Sequence, residues 1–213
     1  VEANLAGHDS HGVIRVPQYA DSVRAGDTKP AAALTTVRET AATTIHDAHW
    51  GFGAAAMSRA LAEAMDKARD LGMHAFGIHN CNHIGRLGHY SDIAARAGFV
   101  PIMTVNSTGS GAAVAPFGGK QGKLGTNPLS VAFPTAGDPM LMDMTSSIVA
   151  EGKIRVRRNS GESLPEGWIL DRHGVPSTEP ADFYGPPRGA ILPFGGPVAH
   201  KGYALSMMAE LLS

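Results

Sequence analysis

The sequence predicts a protein of the α/β class with a mixed α+β composition, and two observations support this prediction. Segments rich in β-branched residues alternate with segments whose apolar residues recur at helical spacing. The chain has 213 residues, of which 43% are hydrophobic, so it can bury a substantial core as one large or two small domains. We find no internal repeat and no low-complexity segment.

The first long helix is predicted from about Ile14 or Arg15 to about Arg24. Pro17 is compatible with this start, because the first helical turn has no hydrogen-bond partner for the missing N–H of proline. Gly26 is a typical residue just past the end of a helix.

A strand–strand–helix–strand order follows. The threonine-rich segments 34–40 and 42–48 are predicted to be strands. The alanine-rich segment 53–71 places apolar residues at helical intervals, and Gly72 ends it. The short apolar segment 73–78 is predicted to be a buried strand.

The second half of the chain continues the alternation of helices and strands. We predict a helix at about 90–97 and three strands at about 99–106, 129–133 and 140–144. A helix should then run to about Arg157, with Thr145 or Ser146 as its N-terminal cap. The remainder is predicted as a loop-rich stretch, a short strand and a final helix, at 159–188, 189–193 and 203–213.

The stretch 7–19 concentrates polar chemistry at the start of the first long helix. It combines a hydroxyl, an imidazole, a guanidinium and a phenol: Ser10, His11, Arg15 and Tyr19. Arginine can hold a carboxylate through two parallel hydrogen bonds, and histidine can carry a proton near neutral pH. A capped helix start, with Asp9 or Ser10 as the cap and Arg15 as a surface charge, would use the same residue types.

A second polar cluster, 80–90, follows a predicted strand and contains His83. Polar side chains at the carboxyl ends of strands often carry the chemistry of α/β folds. His79 and His83 are four residues apart, which leaves a metal-dependent hydrolase as an alternative. Gly85 and the surrounding loop residues argue against a helical metal site, and the sequence has no H-E-x-x-H motif.

Composition argues against several classes of partner. The net charge is −1 without a basic run, so we expect no nucleic-acid partner, and the arginines at 155, 157 and 158 suit a solvated face. The single cysteine, Cys81, cannot form an internal disulfide and fits a reducing compartment, so a cytoplasmic location is expected. No apolar run approaches the roughly 20 residues that span a bilayer, so we expect no membrane association.

No common nucleotide-binding motif is present. The segment Gly109-Ser110-Gly111 resembles the start of a Rossmann fingerprint, but Val114 replaces its last glycine, and no acidic residue ends a strand about 20 residues later. A Walker loop and a G-x-S-x-G elbow are also absent. A bound nucleotide would therefore require a different fold.

Taken in order, the polar motifs resemble those of the malate/L-lactate/L-sulfolactate dehydrogenase-type NAD(P)-dependent oxidoreductases. This family also includes ureidoglycolate dehydrogenases and the diketogulonate and piperideine-2-carboxylate reductases. The resemblance covers nearly the whole chain. Its main motifs are Asp9-Ser10-His11-Gly12 with Arg15, Pro17 and Tyr19; His83-x-Gly85-Arg86 with Tyr90; Asn106; Pro116-Phe117-Gly118-Gly119; Gly125-Thr126-Asn127-Pro128; Asp143-Met144-Thr145-Ser146; Gly152-Lys153; Pro193-x-Gly195-Gly196; and His200-Lys201-Gly202-Tyr203.

The resemblance implies a non-Rossmann NAD(P)-binding fold with a mixed sheet flanked by helices. It implies a homodimer that uses NAD or NADP to interconvert a small 2-hydroxy acid and its 2-keto acid. Residues 1–88 would form the substrate and dimerisation part, and residues 89–213 the cofactor-binding part. The resemblance also leads us to expect that the chain is an internal fragment, with a segment missing at each end.

Individual residues acquire expected roles from the resemblance. His83 corresponds to the general acid/base, and His11 competes with it for that role. Ser10, Arg15 and Tyr19 would hold the substrate, while Asp9 is equally suited to a structural cap. No metal ligand is expected.

The expected cofactor residues lie in the second half of the chain. Asp143, Met144, Thr145 and Ser146 would present backbone N–H groups at a helix N-terminus to a phosphate or ribose. Ser107 and Thr126 could reach the nicotinamide. His200, Lys201 and Gly202 form a further junction at which Lys201 would neutralise phosphate charge, although an ordinary surface lysine would fit the same position.

Overall fold

The computed structural model describes residues 1–107 and 112–212. The chain forms two compact units, which we call the N-terminal and C-terminal units. The N-terminal unit comprises Val1–Ile102 and Val131–Leu141, and the C-terminal unit comprises Met103–Ser130 and Met142–Ser213. The predicted division after residue 88 concerns function, with a substrate part before it and a cofactor part after it. These units are defined by contacts, so the functional division stays a prediction.

The N-terminal unit begins with short helical segments. In chain order they are α1 (Glu2–Leu5), the 3₁₀ turns Asp9–His11 and Val13–Arg15, and α2 (Val16–Ala25). The prediction of α2 is confirmed: Pro17 lies in its first turn, and Gly26 ends it in the left-handed conformation with φ of 81°. Ser10 and His11 lie in a 3₁₀ turn that has no side-chain cap, so the capped helix start is not formed there.

A mixed three-stranded sheet forms the centre of the N-terminal unit. Its elements are β1 (Thr35–Glu39), β2 (Thr43–Asp47), α3 (Gly53–Leu71) and β3 (Ala75–His79). β1 pairs antiparallel with β2, and β2 pairs parallel with β3 after the α3 crossover. The apolar face of α3 is buried, notably at Ala60 and Leu61, and Gly72 ends the helix as predicted.

The next elements match the predicted types, but two of their boundaries differ. They are α4 (Leu87–Arg96), β4 (Ile102–Thr104), β5 (Leu129–Phe133) and β6 (Met140–Met144). α4 begins before residue 90 because Leu87 is buried and Arg86, in extended conformation, precedes it. β4 is shorter than predicted because the N–H groups of Ala97 and Phe99 still bond to α4 carbonyls. The three strands form one sheet in the order β4-β5-β6.

The C-terminal unit consists of short helices around a small sheet. Its remaining elements are α5 (Glu151–Ser160), β7 (Ile169–Leu170), β8 (Pro176–Ser177), α6 (Pro180–Tyr184), β9 (Ala190–Ile191) and α7 (His200–Leu212). Strand β7 pairs antiparallel with β8 and β9. The core of the C-terminal unit contains Val114, Ile154, Ile169, Phe183 and Ile191.

One predicted helix start is wrong. α5 begins at Glu151 after Ala150, and no side chain caps it. The hydroxyls of Thr145 and Ser146 instead donate to the carbonyl oxygens of Ser147 and Thr126 at 2.8 and 3.1 Å. A hydroxyl engaged in this way does not cap a helix, so the short threonine–serine run led to a wrong prediction.

Two further predictions concern what the described part of the chain contains. Gly109-Ser110-Gly111, the partial Rossmann-like sequence, lies outside the described residues. Within residues 1–107 and 112–212, no helix is both long enough and apolar enough to cross a membrane.

Candidate functional site

The N-terminal unit brings the two polar clusters of the sequence together around His83. The hydroxyl of Tyr19, on α2, lies 2.7 Å from Nδ1 of His83, in the loop between β3 and α4. The imidazole of His11 stacks on that of His83, with ring centroids 5.5 Å apart and planes inclined by 20°. Residues separated by more than 60 positions in the sequence therefore share one site.

Arg15 and Ser10 extend this cluster along the turns before α2. Nε of Arg15 donates to the backbone carbonyl of Ser10 at 2.7 Å, and the hydroxyl of buried Ser10 lies 3.0 Å from Nδ1 of His11. A terminal nitrogen of Arg15 donates to Oε1 of Gln18 at 2.8 Å. Gln18 was not among the predicted site residues. Its position three residues after Arg15, on the adjoining helical turn, is the signal that could have identified it.

Asn4 holds the turn that carries Ser10 and His11. Its amide donates to the carboxylate of Asp9 at 2.5 Å and accepts from the N–H of Val13 at 3.0 Å. A Cβ on Gly12 would lie 2.1 Å from the Asn4 side-chain oxygen, so a larger residue there would displace the Asn4 side chain. The Asp9 carboxylate thus bonds to the side chain that holds this turn, but it does not act as the helix cap considered for it.

The surroundings of His83 favour its neutral form. The residue retains solvent exposure, but its pKa is lowered from 6.5 to about 4, mainly through desolvation by the protein atoms around its ring and further through the charges of Arg15 and His11. Burial also raises the pKa of the Tyr19 phenol, an effect that Arg15 partly opposes. At neutral pH the Tyr19–His83 pair is therefore a protonated phenol beside a neutral imidazole.

A small cavity of about 80 Å³ opens beside this pair within the N-terminal unit. Besides Tyr19 and His83, its lining includes Ser22, Thr28, Phe52 and Ala54. The hydroxyls of Ser22 and Thr28 bond to each other at 2.7 Å. The cavity surface next to the imidazole is thus mostly apolar, and its Ser22 and Thr28 hydroxyls already have a hydrogen-bond partner.

The C-terminal unit brings together three of the predicted cofactor residues. Both the N–H and the hydroxyl of Ser146 donate to the carbonyl oxygen of Thr126, at 3.0 and 3.1 Å. The N–H of Ser107 donates to Oδ1 of Asn127 at 3.4 Å. A Cβ on Gly125 would lie 2.7 Å from the Ser107 hydroxyl, so these segments meet at a glycine.

The expected reason for Asp143, Met144 and Thr145 to bind a cofactor is wrong. Asp143 and Met144 belong to strand β6, and the next helix begins only at Glu151, so this segment is not a helix N-terminus. Their assignment to the cofactor stays a prediction without that support.

His200, Lys201 and Gly202 form the first residues of α7. A Cβ on Gly202 would lie 2.2 Å from the carbonyl oxygen of Phe194, and the N–H of Phe194 donates to the carbonyl of Ser146 at 3.0 Å. The start of α7 is thereby connected to the Ser107–Thr126–Ser146 segments, while Lys201 is exposed.

This part of the C-terminal unit fits a dinucleotide in its donor chemistry. It offers serine and threonine hydroxyls suited to ribose and amide groups, together with a lysine suited to phosphate. Among the atoms of residues 1–107 and 112–212, the hydroxyl of buried Ser206, on α7, has no hydrogen-bond partner. The side-chain amide of Asn127 donates to the Ser206 carbonyl at 3.1 Å. A buried hydroxyl without a partner, next to the segments that carry Thr126 and Asn127, fits a site for a polar ligand.

The alternative metal site gains no support from the described residues. Across residues 1–107 and 112–212, no group of three or more His, Cys, Asp or Glu side chains is arranged to hold a metal ion. Nδ1 of His79 faces the Asp47 carboxylate at 3.9 Å, whereas Nδ1 of His83 contacts Tyr19. The two histidines thus have different partners.

Cys81, two residues before His83, is a half-buried free thiol. Burial raises its pKa from 9.0 to about 11. At neutral pH the thiol is therefore protonated and a poor nucleophile.

Comparison with known proteins identifies relatives of the chain. The chain is 41% identical over all its 213 residues to hydroxycarboxylate dehydrogenase B of Escherichia coli, of which it covers 58%. It is 39% identical over its whole length to L-sulfolactate dehydrogenase of Methanothermobacter thermautotrophicus, of which it covers 60%. The chain thus spans about three-fifths of the length of these relatives.

The fold also matches a solved structure. Δ1-piperideine-2-carboxylate reductase from Pseudomonas syringae superposes with a TM-score of 0.90 at 36% identity, over 99% of this chain and 61% of that one. The family model described as malate/L-lactate dehydrogenase matches residues 1–213. The chain therefore belongs to the malate/L-lactate dehydrogenase family, as do relatives named as hydroxycarboxylate and L-sulfolactate dehydrogenases.

Proposed function

We propose that the chain acts in an NAD(P)-dependent oxidoreductase that transfers a hydride between nicotinamide and a small 2-hydroxy or 2-keto acid. The observation that carries the proposal is the cluster in which Tyr19 and His11 flank the His83 imidazole. Arg15 adds a cation for the substrate carboxylate. The names of the relatives, which include hydroxycarboxylate and sulfolactate dehydrogenases, support the same class of substrate.

Arg15 and His83 would act together in the proton step. A carboxylate bound at Arg15 neutralises the guanidinium charge, which is one cause of the low His83 pKa. Substrate binding should therefore raise that pKa and make protonation of His83 easier. In the oxidation of a hydroxy acid, the neutral imidazole already present can accept the hydroxyl proton directly.

His83 is our choice for the proton-moving residue, with His11 as the competitor. The Tyr19 hydroxyl at Nδ1 fixes the orientation of the His83 ring and leaves Nε2 as the atom for exchange with substrate. His11, whose Nδ1 lies near the Ser10 hydroxyl, is better suited to donate a hydrogen bond that polarises the carbonyl. In this proposal Ser10 and Tyr19 orient the imidazoles, and Arg15 binds the carboxylate.

NAD or NADP would bind through the C-terminal unit, in a non-Rossmann manner. When bound, its nicotinamide C4 supplies or accepts the hydride. Ser107, Thr126 and Ser146 would hold the ribose and amide groups, and Lys201 would neutralise phosphate charge. Residues 1–88 would then serve the substrate and residues 89–213 the cofactor. A homodimer located in the cytoplasm, without nucleic-acid or membrane partners, completes the proposal.

Titration of the purified chain with NADH and with NADPH, followed by nicotinamide fluorescence, tests this proposal. A panel of 2-keto acids and cyclic imines is then added. Saturable binding of one cofactor and its oxidation by one panel member would support the function and identify both specificities. Binding only by a chain extended at both ends would indicate an incomplete site, and no binding by either would contradict the proposal.

A further inference from the structure

The residue before His83 makes a contact that the proposed chemistry does not use. The side-chain amide of Asn82 donates to the backbone carbonyls of Trp50 and Gly51 at 2.7 and 3.1 Å, and lies 3.4 Å from the carbonyl of Asp27. Two N–H groups thus serve three carbonyl oxygens from two distant segments. Because all three acceptors are backbone carbonyls, these contacts can fix the position of the loop that carries Asn82.

Residues that follow β2 and β3, close to the Asn82 contacts, are held in uncommon conformations. His49, Trp50 and Asn80 have positive φ values of 49°, 61° and 50°. The N–H of Trp50 donates to the carbonyl of Asn80 at 2.7 Å, which continues the contact between the ends of β2 and β3. Both oxygens of Asp47 accept from the Asn80 amide, at 3.1 and 3.2 Å. Strained residues of this kind persist where the surrounding structure holds them, and they concentrate at functional sites.

The start of α3 packs against the same loop without any spare room. A Cβ on Gly53 would lie 1.9 Å from the carbonyl oxygen of Asn82 and 2.8 Å from that of His83. The His83 backbone is therefore bounded on one side by the first residue of a 19-residue helix. The hydrogen bonds of the Asn82 side chain to Trp50 and Gly51 fix the same loop at a second place.

Asn82 also connects the two partners of the Tyr19–His83 hydrogen bond. Asp27 follows the end of α2, the helix that carries Tyr19, and Thr28 bonds to Ser22 of the same helix at 2.7 Å. We propose that Asn82 is a positioning residue that sets the His83 imidazole against Tyr19 and His11. The inference rests on the proposed function, because it assigns Asn82 to the geometry of the same proton-transfer site.

Two substitutions test the donor role of the amide. Asn82→Ala removes it, and Asn82→Asp keeps its shape but replaces the N–H groups by an oxygen that repels the three carbonyls. The matched control is Asn159→Ala, at an exposed asparagine of α5. For each protein, kcat, the KM for the keto acid and the Kd for the cofactor are measured. The His83 titration is followed by NMR of labelled histidine, with the signal assigned through His83→Gln.

We expect both Asn82 variants to lose about 10-fold to 100-fold in kcat while the cofactor Kd stays unchanged, since a displacement of about 1 Å costs this much. The His83 pKa should rise from about 4 toward 6.5 as the ring leaves its neighbours. The control should match the wild type in every measurement. Wild-type kcat and an unchanged His83 titration in folded Asn82 variants would overturn the inference.

The two readouts separate failure of the inference from failure of the proposed function. If the wild-type chain turns over no substrate, the proposed function fails, but the His83 titration of the variants still decides whether Asn82 positions the ring. Circular dichroism establishes that the variants are folded. If both variants are unfolded under native conditions, Asn82 is a purely structural residue and the inference is wrong.

Discussion

The candidate substrate site in the N-terminal unit and the candidate cofactor site in the C-terminal unit are built from different groups. In the N-terminal unit the cluster consists of ionisable side chains that contact each other, as in the Tyr19–His83 bond of 2.7 Å and the stacked His11 ring. In the C-terminal unit the cluster consists of hydroxyls, an amide and backbone groups, such as Ser146 and Asn127, both of which are buried. In the first cluster titratable side chains contact one another, whereas the second is a network of hydrogen bonds among buried hydroxyl, amide and backbone groups.

This difference indicates how each cluster should respond to substitution. Replacing an ionisable group whose neighbours set its pKa should change chemistry more than stability. Replacing the buried amide of Asn127, which bonds to backbone groups and a carboxylate of its own unit, should change stability more than chemistry. Three substitutions test the comparison, and they follow in order of expected effect.

The largest effect is expected at the proton-moving imidazole. His83→Ala should lower kcat by about 10²–10⁴-fold, because general acid–base groups contribute this much. The effect of His11→Ala should be clearly smaller. Steady-state rates at saturating cofactor and keto acid measure both. A large loss confined to His11→Ala would reverse the two roles, and equal losses would mean that the imidazoles act as one unit.

An intermediate effect is expected for Asn127→Ala in the C-terminal unit. The Asn127 amide donates to the Ser206 carbonyl and to the Glu210 carboxylate at 2.9 Å, and its oxygen accepts from Ser107. Its loss leaves buried groups unsatisfied, so the free energy of unfolding should fall by about 1–3 kcal/mol. Urea unfolding measures this change, with the exposed Asn159→Ala as control. An unchanged unfolding midpoint would remove Asn127 from the structural framework of this unit.

The smallest effect is expected for Arg15→Lys. Lysine keeps the positive charge but loses the planar pair of donors, so the KM for the keto acid should rise by about tenfold. The Kd for the cofactor should not change. Arg24→Lys serves as the control, because Arg24 is an exposed residue of α2 that pairs with Asp21 at 2.7 Å. If the KM is unchanged, Arg15 does not bind the carboxylate.

Local signals in the sequence were sufficient for most helices and strands. Gly26 and Gly72 both adopt the left-handed conformation at the ends of predicted helices. The threonine-rich segments form β1 and β2 as predicted. These features depend on neighbouring residues, which sequence patterns record directly.

Long-range use of side chains could not be predicted in this way. Thr145 and Ser146 have the composition of a helix cap, but their hydroxyls bond to carbonyls, one of them 20 residues away. The contact of Tyr19 with His83 joins residues 64 positions apart, and only the resemblance to a family placed both in one site. The role of Asn82 has no local signature, because its partners are backbone carbonyls of other segments.

The protonation state of Cys81 has a practical consequence. It is the single cysteine of the chain, and its thiol pKa of about 11 leaves very little thiolate at pH 7 to react with maleimides. A second cysteine placed at an exposed position, for example Ser58→Cys on α3, would therefore be labelled selectively in the otherwise native protein. A fluorophore attached there could report binding of cofactor and substrate without removal of the natural cysteine beside Asn82.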